Sequence, residues 1–90
     1  MIKVKFTPAL NRFQSDLKPI EVEGSTVKEV MLRTFEQFPK LRNYVLEDQG
    51  AVRKHVNIFV NGTVIRDRTL LSDELKSGDE IFIIQALSGG

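Results

Sequence analysis

The chain has 90 residues, enough for one domain and no more, because independently folding domains rarely have fewer than about 50 residues. Hydrophobic residues make up 41% of the chain and charged residues 28%, a balance typical of a globular protein and not of a disordered or fibrous one. Thirteen basic and twelve acidic residues leave a net charge of +1, so no overall field draws the chain to nucleic acid or to an anionic membrane. The lack of cysteine excludes a disulfide framework, a thiolate metal site and a cysteine nucleophile.

The N-terminal residues do not have the pattern of an export signal. Residues 1–6 alternate apolar and basic side chains and lack the continuous apolar run of a signal peptide. The sequence also contains no run of about 18 apolar residues, which a membrane span requires. We therefore expect a cytoplasmic protein that binds neither nucleic acid nor a membrane. We also expect it to be monomeric when free.

The first third of the chain predicts two strands joined by a loop. Residues 2–6 alternate apolar residues with lysine, and residues 20–23 alternate apolar residues with glutamate, which is the period of a strand with one face in a core. Residues 7–18 mix turn formers with scattered apolar residues. They predict an irregular loop that its apolar side chains hold in place.

A helix is predicted to start at Thr26. Thr26 and Glu29 have the spacing of a capping box, in which the hydroxyl accepts from a first-turn N–H and the carboxylate reaches back to the cap. The apolar residues that follow recur every three or four positions and form one stripe: Val27, Val30, Met31, Phe35 and Phe38. Pro39 predicts that the helix ends near residue 38. Residues 40–54 predict one further helical turn and then a polar loop.

The second half of the chain predicts a hairpin and a last, central strand. Residues 56–60 alternate, Asn61-Gly62 favours a type I′ turn, and residues 63–66 return as the fourth strand. Residues 70–75 predict a short helical turn. Residues 80–87 are almost continuously apolar, as in a strand in the middle of a sheet.

The order ββαββ, helical turn, β predicts an α+β protein with one main helix on one face of a mixed sheet. The connection through the helix is long enough for a crossover, so the last strand can lie beside the first in the centre. This is the β-grasp arrangement. We predict a β-grasp domain over residues 1–87 and a flexible tail over residues 88–90.

The side chains do not assemble a conventional active site. His55 is the only histidine, and no cysteine or carboxylate cluster accompanies it, so we expect neither catalysis nor metal binding there. Four carboxylates occupy turns, where capping of backbone N–H groups is their expected role: Asp67, Asp73, Glu74 and Asp79. The internal glycines are isolated and form no phosphate-binding loop, and the basic residues are scattered among acidic ones.

The C-terminus is the most informative segment of the chain. Gly89 and Gly90 end in a free carboxylate, and glycine has no Cβ, so such a tail can pass through a narrow channel and present its carboxylate to a reagent. The dipeptide by itself is also consistent with a frayed terminus.

Three segments together resemble the ubiquitin-like sulfur carrier proteins: residues 55–62 (HVNIFVNG), residues 75–80 (LKSGDE) and residues 83–90 (IIQALSGG). That family includes the small subunit of molybdopterin synthase, the thiamine-pathway carrier and the carriers that supply cysteine biosynthesis. The resemblance covers the whole chain. The VNIFVNG segment and the length of residues 40–54 look most like the cysteine-biosynthesis carriers, and Gln85-Ala86 stands where the molybdopterin synthase subunit often has a proline pair.

The resemblance implies a function without catalytic residues or a bound cofactor. A ubiquitin-activating-type adenylyltransferase would use ATP to adenylate the carboxylate of Gly90, and a sulfur donor would then displace AMP to give a thiocarboxylate. A sulfur-accepting enzyme, such as a cysteine synthase, would take the sulfur. Gly90 would be the covalent site, and Gly89 would allow passage of the tail.

A partner surface is predicted from strand alternation. If Val56, Ile58 and Ile83 face the helix, a second set of apolar side chains faces away from it: Phe59, Val64, Phe82 and Ile84. An apolar patch on an open sheet face usually marks a binding site. A different register, or cover by residues 7–18, would remove this surface.

Alternative functions remain open from the sequence. The chain resembles the small subunit of molybdopterin synthase as well as the other carriers. It could also be a ubiquitin-like modifier that is joined to lysines of other proteins through Gly90, or a noncovalent interaction module in which the two glycines have no role.

Overall fold

The computed structural model describes residues 1–12, 14 and 17–85, and their main feature is a five-stranded mixed sheet. The strands are β1 (Ile2–Phe6), β2 (Ile20–Val22), β3 (Val56–Val60), β4 (Thr63–Val64) and β5 (Glu80–Gln85). The α-helices are α1 (Val27–Gln37) and α2 (Arg42–Val45), and 3-10 helices span Pro8–Arg12 and Pro39–Leu41. Residues 86–90, which include the predicted tail, lie outside the described residues.

The sheet has the strand order β2-β1-β5-β3-β4. β5 pairs parallel with β1 and antiparallel with β3, and the other neighbouring strands are antiparallel. The last strand therefore lies in the centre beside the first, as the sequence predicts. The predicted α+β class and β-grasp arrangement are confirmed.

Helix α1 forms where the sequence predicts it. The Thr26 hydroxyl accepts from the N–H of Glu29 at 3.2 Å, and the Glu29 carboxylate accepts from the N–H and the hydroxyl of Ser25 at 2.7 and 2.8 Å. These hydrogen bonds hold the pKa of Glu29 below its ordinary value, the Ser25 N–H having the largest effect. At the other end, the N–H of Phe38 donates to the carbonyl of Thr34 just before Pro39 interrupts the helix.

The core lies between α1 and the inner face of the sheet. The largest fully buried side chains come from both layers and from the segments at the ends of the sheet: Ile2, Leu10, Met31, Leu41, Ile58, Ile81 and Ile83. Thr34 is the buried polar residue in the described part of the chain, and its hydroxyl donates to the Val30 carbonyl at 2.8 Å. The core therefore holds no unpaired side-chain donor in the described residues.

Two predictions about connecting segments are wrong. Residues 7–18 are predicted to be irregular, yet Pro8–Arg12 forms a 3-10 helix, because Leu10 is fully buried and its N–H donates to the carbonyl of Thr7. Residues 70–75 are predicted to form a helical turn, yet the fully described segment 65–79 contains no helix. Carboxylate side chains organise that segment instead of a repeating backbone pattern.

Candidate functional site

The predicted apolar side chains lie together on the open face of the sheet. In the strand register Phe59 is opposite both Val64 and Phe82, and Ile84 follows two positions after Phe82 on the same face of β5. We call Phe59, Val64, Phe82 and Ile84 the outer apolar patch. Val64 is 44% exposed and the other three are half-buried, whereas their neighbours Ile58, Ile81 and Ile83 are fully buried on the inner face.

The segment between β1 and β2 contributes to the core on the inner face. Leu10 belongs to the core cluster, and Phe6 and Leu17 pack against it. The ring of Phe6 also meets the ring of Phe38 edge to face at 5.7 Å between centroids. These side chains therefore pack against the core on the inner face. In the described residues, the outer apolar patch remains partly exposed.

One edge of the outer apolar patch carries an ion pair. Lys5 lies opposite Phe82 in the parallel register, and its Nζ is 3.3 Å from Oε1 of Glu80. Both side chains are about two-fifths exposed (41% and 42%), so this pair contributes little to stability and instead gives the patch a polar rim. An apolar centre with a polar rim is the usual composition of a protein-binding surface.

The end of the sheet where β5 begins is organised by Asn61. Asn61 has a φ of 50° and Gly62 a φ of 87°, which confirms the predicted hairpin turn. The Asn61 side chain donates to the Asp79 carboxylate at 2.9 Å and accepts from the N–H of Glu80 at 2.9 Å. The N–H of Lys76 and then the amide of Asn61 lower the pKa of Asp79 below its ordinary value.

The loop between β4 and β5 is held by two further carboxylates. Asp67 accepts from the N–H groups of Leu70 at 2.9 Å and Thr69 at 3.1 Å, and from the hydroxyl of Ser72. The Leu70 N–H has the largest effect in lowering the pKa of Asp67, followed by the Ser72 hydroxyl. Asp73 accepts from the N–H groups of Arg66 and Asp67 at 2.9 and 2.8 Å.

The predicted capping role is thus confirmed for Asp67, Asp73 and Asp79. It is wrong for Glu74, whose exposed carboxylate accepts no hydrogen bond from the residues that the structure describes, while its backbone bridges to Thr26. The same loop also caps α1, since the carbonyl of Asp73 accepts from the Val27 N–H. The carboxylates of Asp67, Asp73 and Asp79 therefore fix the backbone of this loop and of the turn before β5.

His55 is exposed, in the turn that precedes β3. In residues 1–12, 14 and 17–85, no group of three or more His, Cys, Asp or Glu side chains is placed to hold a metal ion.

Two features of the structure have no counterpart in the sequence predictions. A groove of about 200 Å³ runs between α1 and the loops that follow α2 and β4, with the exposed Leu32 and Leu70 at its edge. At the end of β5, the guanidinium of Arg68 is held by three acceptors on and before β3. Both arise from contacts between segments distant in sequence, so no local pattern signals them.

None of the helices in the described part of the chain is long and apolar enough to cross a membrane. Gly89 and Gly90, the predicted covalent site and passage residue, lie outside the described residues. Of the site predicted from the sequence, the structure therefore describes the outer apolar patch and β5, the strand that precedes the tail.

The sheet order, the single long helix and the central last strand define a ubiquitin-like β-grasp protein. A model of the ThiS family matches residues 4–90, and the chain belongs to that family. The resemblance to the ubiquitin-like sulfur carriers that the sequence predicts is confirmed.

Known proteins resemble the chain along its whole length. A proposed sulfur carrier protein of Archaeoglobus fulgidus is 33% identical over 89 residues, which cover 99% of this chain and 98% of that protein. The solution structure of small archaeal modifier protein 1 from Methanosarcina acetivorans is 28% identical, covers 99% of this chain and 95% of that one, and superposes with a TM-score of 0.80. A chain in the Amycolatopsis orientalis BexX/CysO complex is 23% identical, covers 100% of both chains and has a TM-score of 0.85.

Proposed function

We propose that this protein carries sulfur as a thiocarboxylate on the carboxyl carbon of Gly90. The observation that carries the proposal is the family match, which runs from residue 4 through the C-terminal Gly89-Gly90 and so includes the reactive end as well as the fold. The similarity to a proposed sulfur carrier over 98% of that protein's length supports the same function.

The chemistry needs two steps at the carboxyl group of Gly90. The Gly90 carboxylate attacks the α-phosphorus of ATP, pyrophosphate leaves, and the acyl adenylate forms. A sulfur donor at the oxidation level of sulfide then attacks the acyl carbon, the bond to the AMP oxygen breaks, and AMP leaves. The product is a thiocarboxylate whose sulfur is nucleophilic and can be passed to a carbon acceptor on a second enzyme.

In this proposal the chain supplies a reactive end and a recognition surface, and its partners supply the catalytic groups. This division is supported by Asp67, Asp73 and Asp79, whose carboxylates cap backbone N–H groups. The activating partner would be an ATP-using adenylyltransferase of the ubiquitin-activating type, which would contact the outer apolar patch. The protein would then be a carrier and not an enzyme, and it would work in the cytoplasm, where ATP is available.

For the pathway we propose cysteine biosynthesis, with a cysteine synthase as the sulfur acceptor. The length of residues 40–54 and the VNIFVNG segment support this choice, as does the likeness in fold to a chain of the BexX/CysO complex. A role as the small subunit of molybdopterin synthase is the alternative within the same class of sulfur carriers.

The second candidate function is protein modification through Gly90. It is favoured by the 28% identity to small archaeal modifier protein 1 over almost the full length of both chains. Both functions would start with adenylation, so they differ only in the nucleophile that displaces AMP: a sulfur donor in one case and a lysine amine in the other.

Mass spectrometry of the protein isolated from its own cells tests the proposal. We expect a fraction of the intact chain to be heavier by the difference between a sulfur and an oxygen atom, and this fraction to react with a thiol-specific reagent. Chain lacking Gly90 is the control and should show neither property. Branched peptides joined to lysine through Gly90, with no sulfur-containing fraction, would favour modification, and an unaltered C-terminus under sulfur-limiting growth would refute both functions.

A further inference from the structure

A part-buried guanidinium lies where β5 ends. Arg68 donates from Nη2 to the carbonyls of Arg53 at 2.7 Å and Val56 at 2.8 Å, and from Nη1 to the amide oxygen of Asn57 at 3.0 Å. All three acceptors are neutral. The charge of Arg68 is therefore held in a fixed position by hydrogen bonds but is not neutralised by them.

Two more basic residues belong to the segment whose Arg53 carbonyl Arg68 holds. Arg53 and Lys54 lie just before β3, and Nε of Arg53 donates to the carbonyl of Asn43 at 2.6 Å, again a neutral acceptor. The one ion pair among the described residues is Lys5 with Glu80 at the other end of β5, so none of these three cations has a carboxylate within 4.0 Å in that part of the chain. We call Arg53, Lys54 and Arg68 the basic cluster.

The basic cluster lies beside the outer apolar patch, with the Arg68 guanidinium on the β4 side of β3. Val56, whose carbonyl Arg68 holds, pairs with Gln85, the last described residue of β5. Asn57, which accepts from Arg68, pairs with Ile84 of the outer apolar patch. A protein that covers Ile84 of the outer apolar patch therefore comes close to the Arg68 guanidinium, which lies one strand away.

We propose that the basic cluster docks an acidic segment of the activating enzyme, beside the channel through which the tail enters. This inference rests on the proposed function, because it names part of the surface by which the same partner recognises the chain. Charge complementarity at the rim of an apolar contact mainly raises the association rate and excludes wrong partners. The cluster would orient the incoming chain so that the tail faces the channel before the apolar patch closes.

The surroundings of the basic cluster favour an acidic protein segment over a nucleic acid. The cluster has three cations and borders an apolar patch, which is the composition of a protein interface. Nucleic acid binding requires a wider basic face that neutralises several phosphates. The net charge of +1 leaves no such field.

The charge reversal Lys54→Glu tests the proposal without disturbing the fold. The Lys54 side chain is exposed and makes no hydrogen bond or ion pair in the described residues, unlike Arg68, whose replacement would also remove three structural hydrogen bonds. Lys28→Glu is the matched control. Lys28 is also exposed but lies on α1, which covers the opposite face of the sheet.

The probe is the adenylating enzyme purified from the same cells by following pyrophosphate exchange that depends on the wild-type chain. At about 0.05 M salt we expect Lys54→Glu to bind this enzyme about tenfold more weakly than wild type, through slower association, and Lys28→Glu to bind like wild type. At about 0.5 M salt the difference should largely vanish because the charges are screened. Exchange at saturating concentrations of the variant should match wild type, since the tail is unchanged.

Equal binding of Lys54→Glu and Lys28→Glu would overturn the inference while the proposed function stands, because wild type is still adenylated. Failure to find any enzyme that adenylates the wild-type chain would overturn the proposed function and this inference with it. Tight binding of wild type to transfer RNA that Lys54→Glu abolishes, with enzyme binding unaffected, would assign the cluster to nucleic acid instead.

Discussion

Among the glycines that the structure describes, Gly24 is the one at which an added side chain would clash with its neighbours. A Cβ at this position would be 2.7 Å from Cγ2 of Val30, which is fully buried, and 3.3 Å from Cβ of Glu29. Contacts this short force neighbouring atoms to move, and Val30 has no space to move in a close-packed core. The connection between β2 and α1 therefore needs a glycine at this position because a side chain would not fit. Its backbone angles do not require one.

We expect Gly24→Ala to destabilise the fold by about 1 to 3 kcal/mol, the usual effect of overpacking a core. Urea unfolding of wild type, Gly24→Ala, Val30→Ala and the double variant gives the coupling energy between the two sites. Val30→Ala removes the Cγ2 atom that the new Cβ would meet, so it tests whether this contact causes the destabilisation. The double variant should be more stable than the sum of the two single effects predicts. Strict additivity would show that the contact with Val30 is not the reason.

Asp67 makes the stability of the fold dependent on pH. Its pKa is held below the ordinary value of 3.8, chiefly by the Leu70 N–H and next by the Ser72 hydroxyl. A carboxyl with a lower pKa in the folded state than in the unfolded state stabilises the fold above the unfolded pKa, and this contribution is lost as the pH falls through the folded pKa.

The free energy of unfolding of the wild-type chain should therefore fall as the pH drops below 3.8, and this fall should be smaller in Asp67→Asn. Asp67→Asn should also be less stable than wild type at neutral pH. Asp48→Asn is the matched control, since the Asp48 carboxylate accepts no hydrogen bond in the described residues. Thermal unfolding measured between pH 2 and pH 7 gives the comparison, and identical curves for Asp67→Asn and wild type would contradict the assignment.

At the scale of elements, the hairpin turn and the start of β5 depend on one side chain. Asn61 adopts the positive φ that the turn needs, and its amide joins the turn to Asp79 and Glu80. Two variants separate these roles. Glycine lacks the amide but adopts a positive φ without strain, whereas alanine lacks the amide and adopts a positive φ only with strain.

Asn61→Gly should lower the free energy of unfolding, and Asn61→Ala should lower it by about 1 kcal/mol more, because an alanine must hold a φ near 50°. Denaturant unfolding of the two variants and the wild type measures both steps. An Asn61→Gly chain as stable as wild type would show that the amide hydrogen bonds contribute nothing to stability. Equal stability of the two variants would show that the positive φ at this position costs alanine nothing.

The elements that the sequence predicts correctly are those that short-range patterns determine. Alternation predicts β1, β2 and β3, the Thr26 and Glu29 pair predicts the start of α1, and Asn61-Gly62 predicts the hairpin. The loop between β4 and β5 is mispredicted as helical because polar residues of this composition suit either a helix or a set of side-chain caps. The side chains of the outer apolar patch lie on one face because the register follows from the inner face being buried.

Contacts between distant segments account for what the sequence does not show. Arg68 reaches residues 11 to 15 positions earlier in the chain, and nothing in its local sequence distinguishes it from the other basic residues. The burial of Leu10, which turns Pro8–Arg12 into a 3-10 helix, likewise depends on the assembled core. Tertiary structure, not local propensity, determines both.

At the scale of the whole molecule, the proposed function separates recognition on the outer face of the sheet from reactivity at the C-terminus. The outer apolar patch lies on β3, β4 and β5, and the reactive carboxyl is five residues beyond the last residue of β5, Gln85. The two can therefore be impaired one at a time. Ile84→Asp changes the first, and deletion of Gly90 changes the second.

Deletion of Gly90 should leave binding to the activating enzyme largely intact and abolish adenylation. The shortened chain ends about 3.5 Å before the nucleotide, and a displacement of about 1 Å can already reduce a rate about a hundredfold. Calorimetry measures the binding, and pyrophosphate exchange measures adenylation. Normal exchange by the shortened chain would show that Gly90 is not the site of activation.

Ile84→Asp should have the opposite effect on the same two measurements. A carboxylate at Ile84 would be buried without a partner at the centre of the contact, which weakens binding by about 2 kcal/mol or more. Exchange at saturating concentrations of this variant should still approach the wild-type rate, because the tail is unchanged. Circular dichroism must first show that the variant is folded, since Ile84 is half-buried in the free chain. A folded Ile84→Asp chain that binds as tightly as wild type would remove the outer apolar patch from the recognition surface and leave the basic cluster and the tail to account for binding.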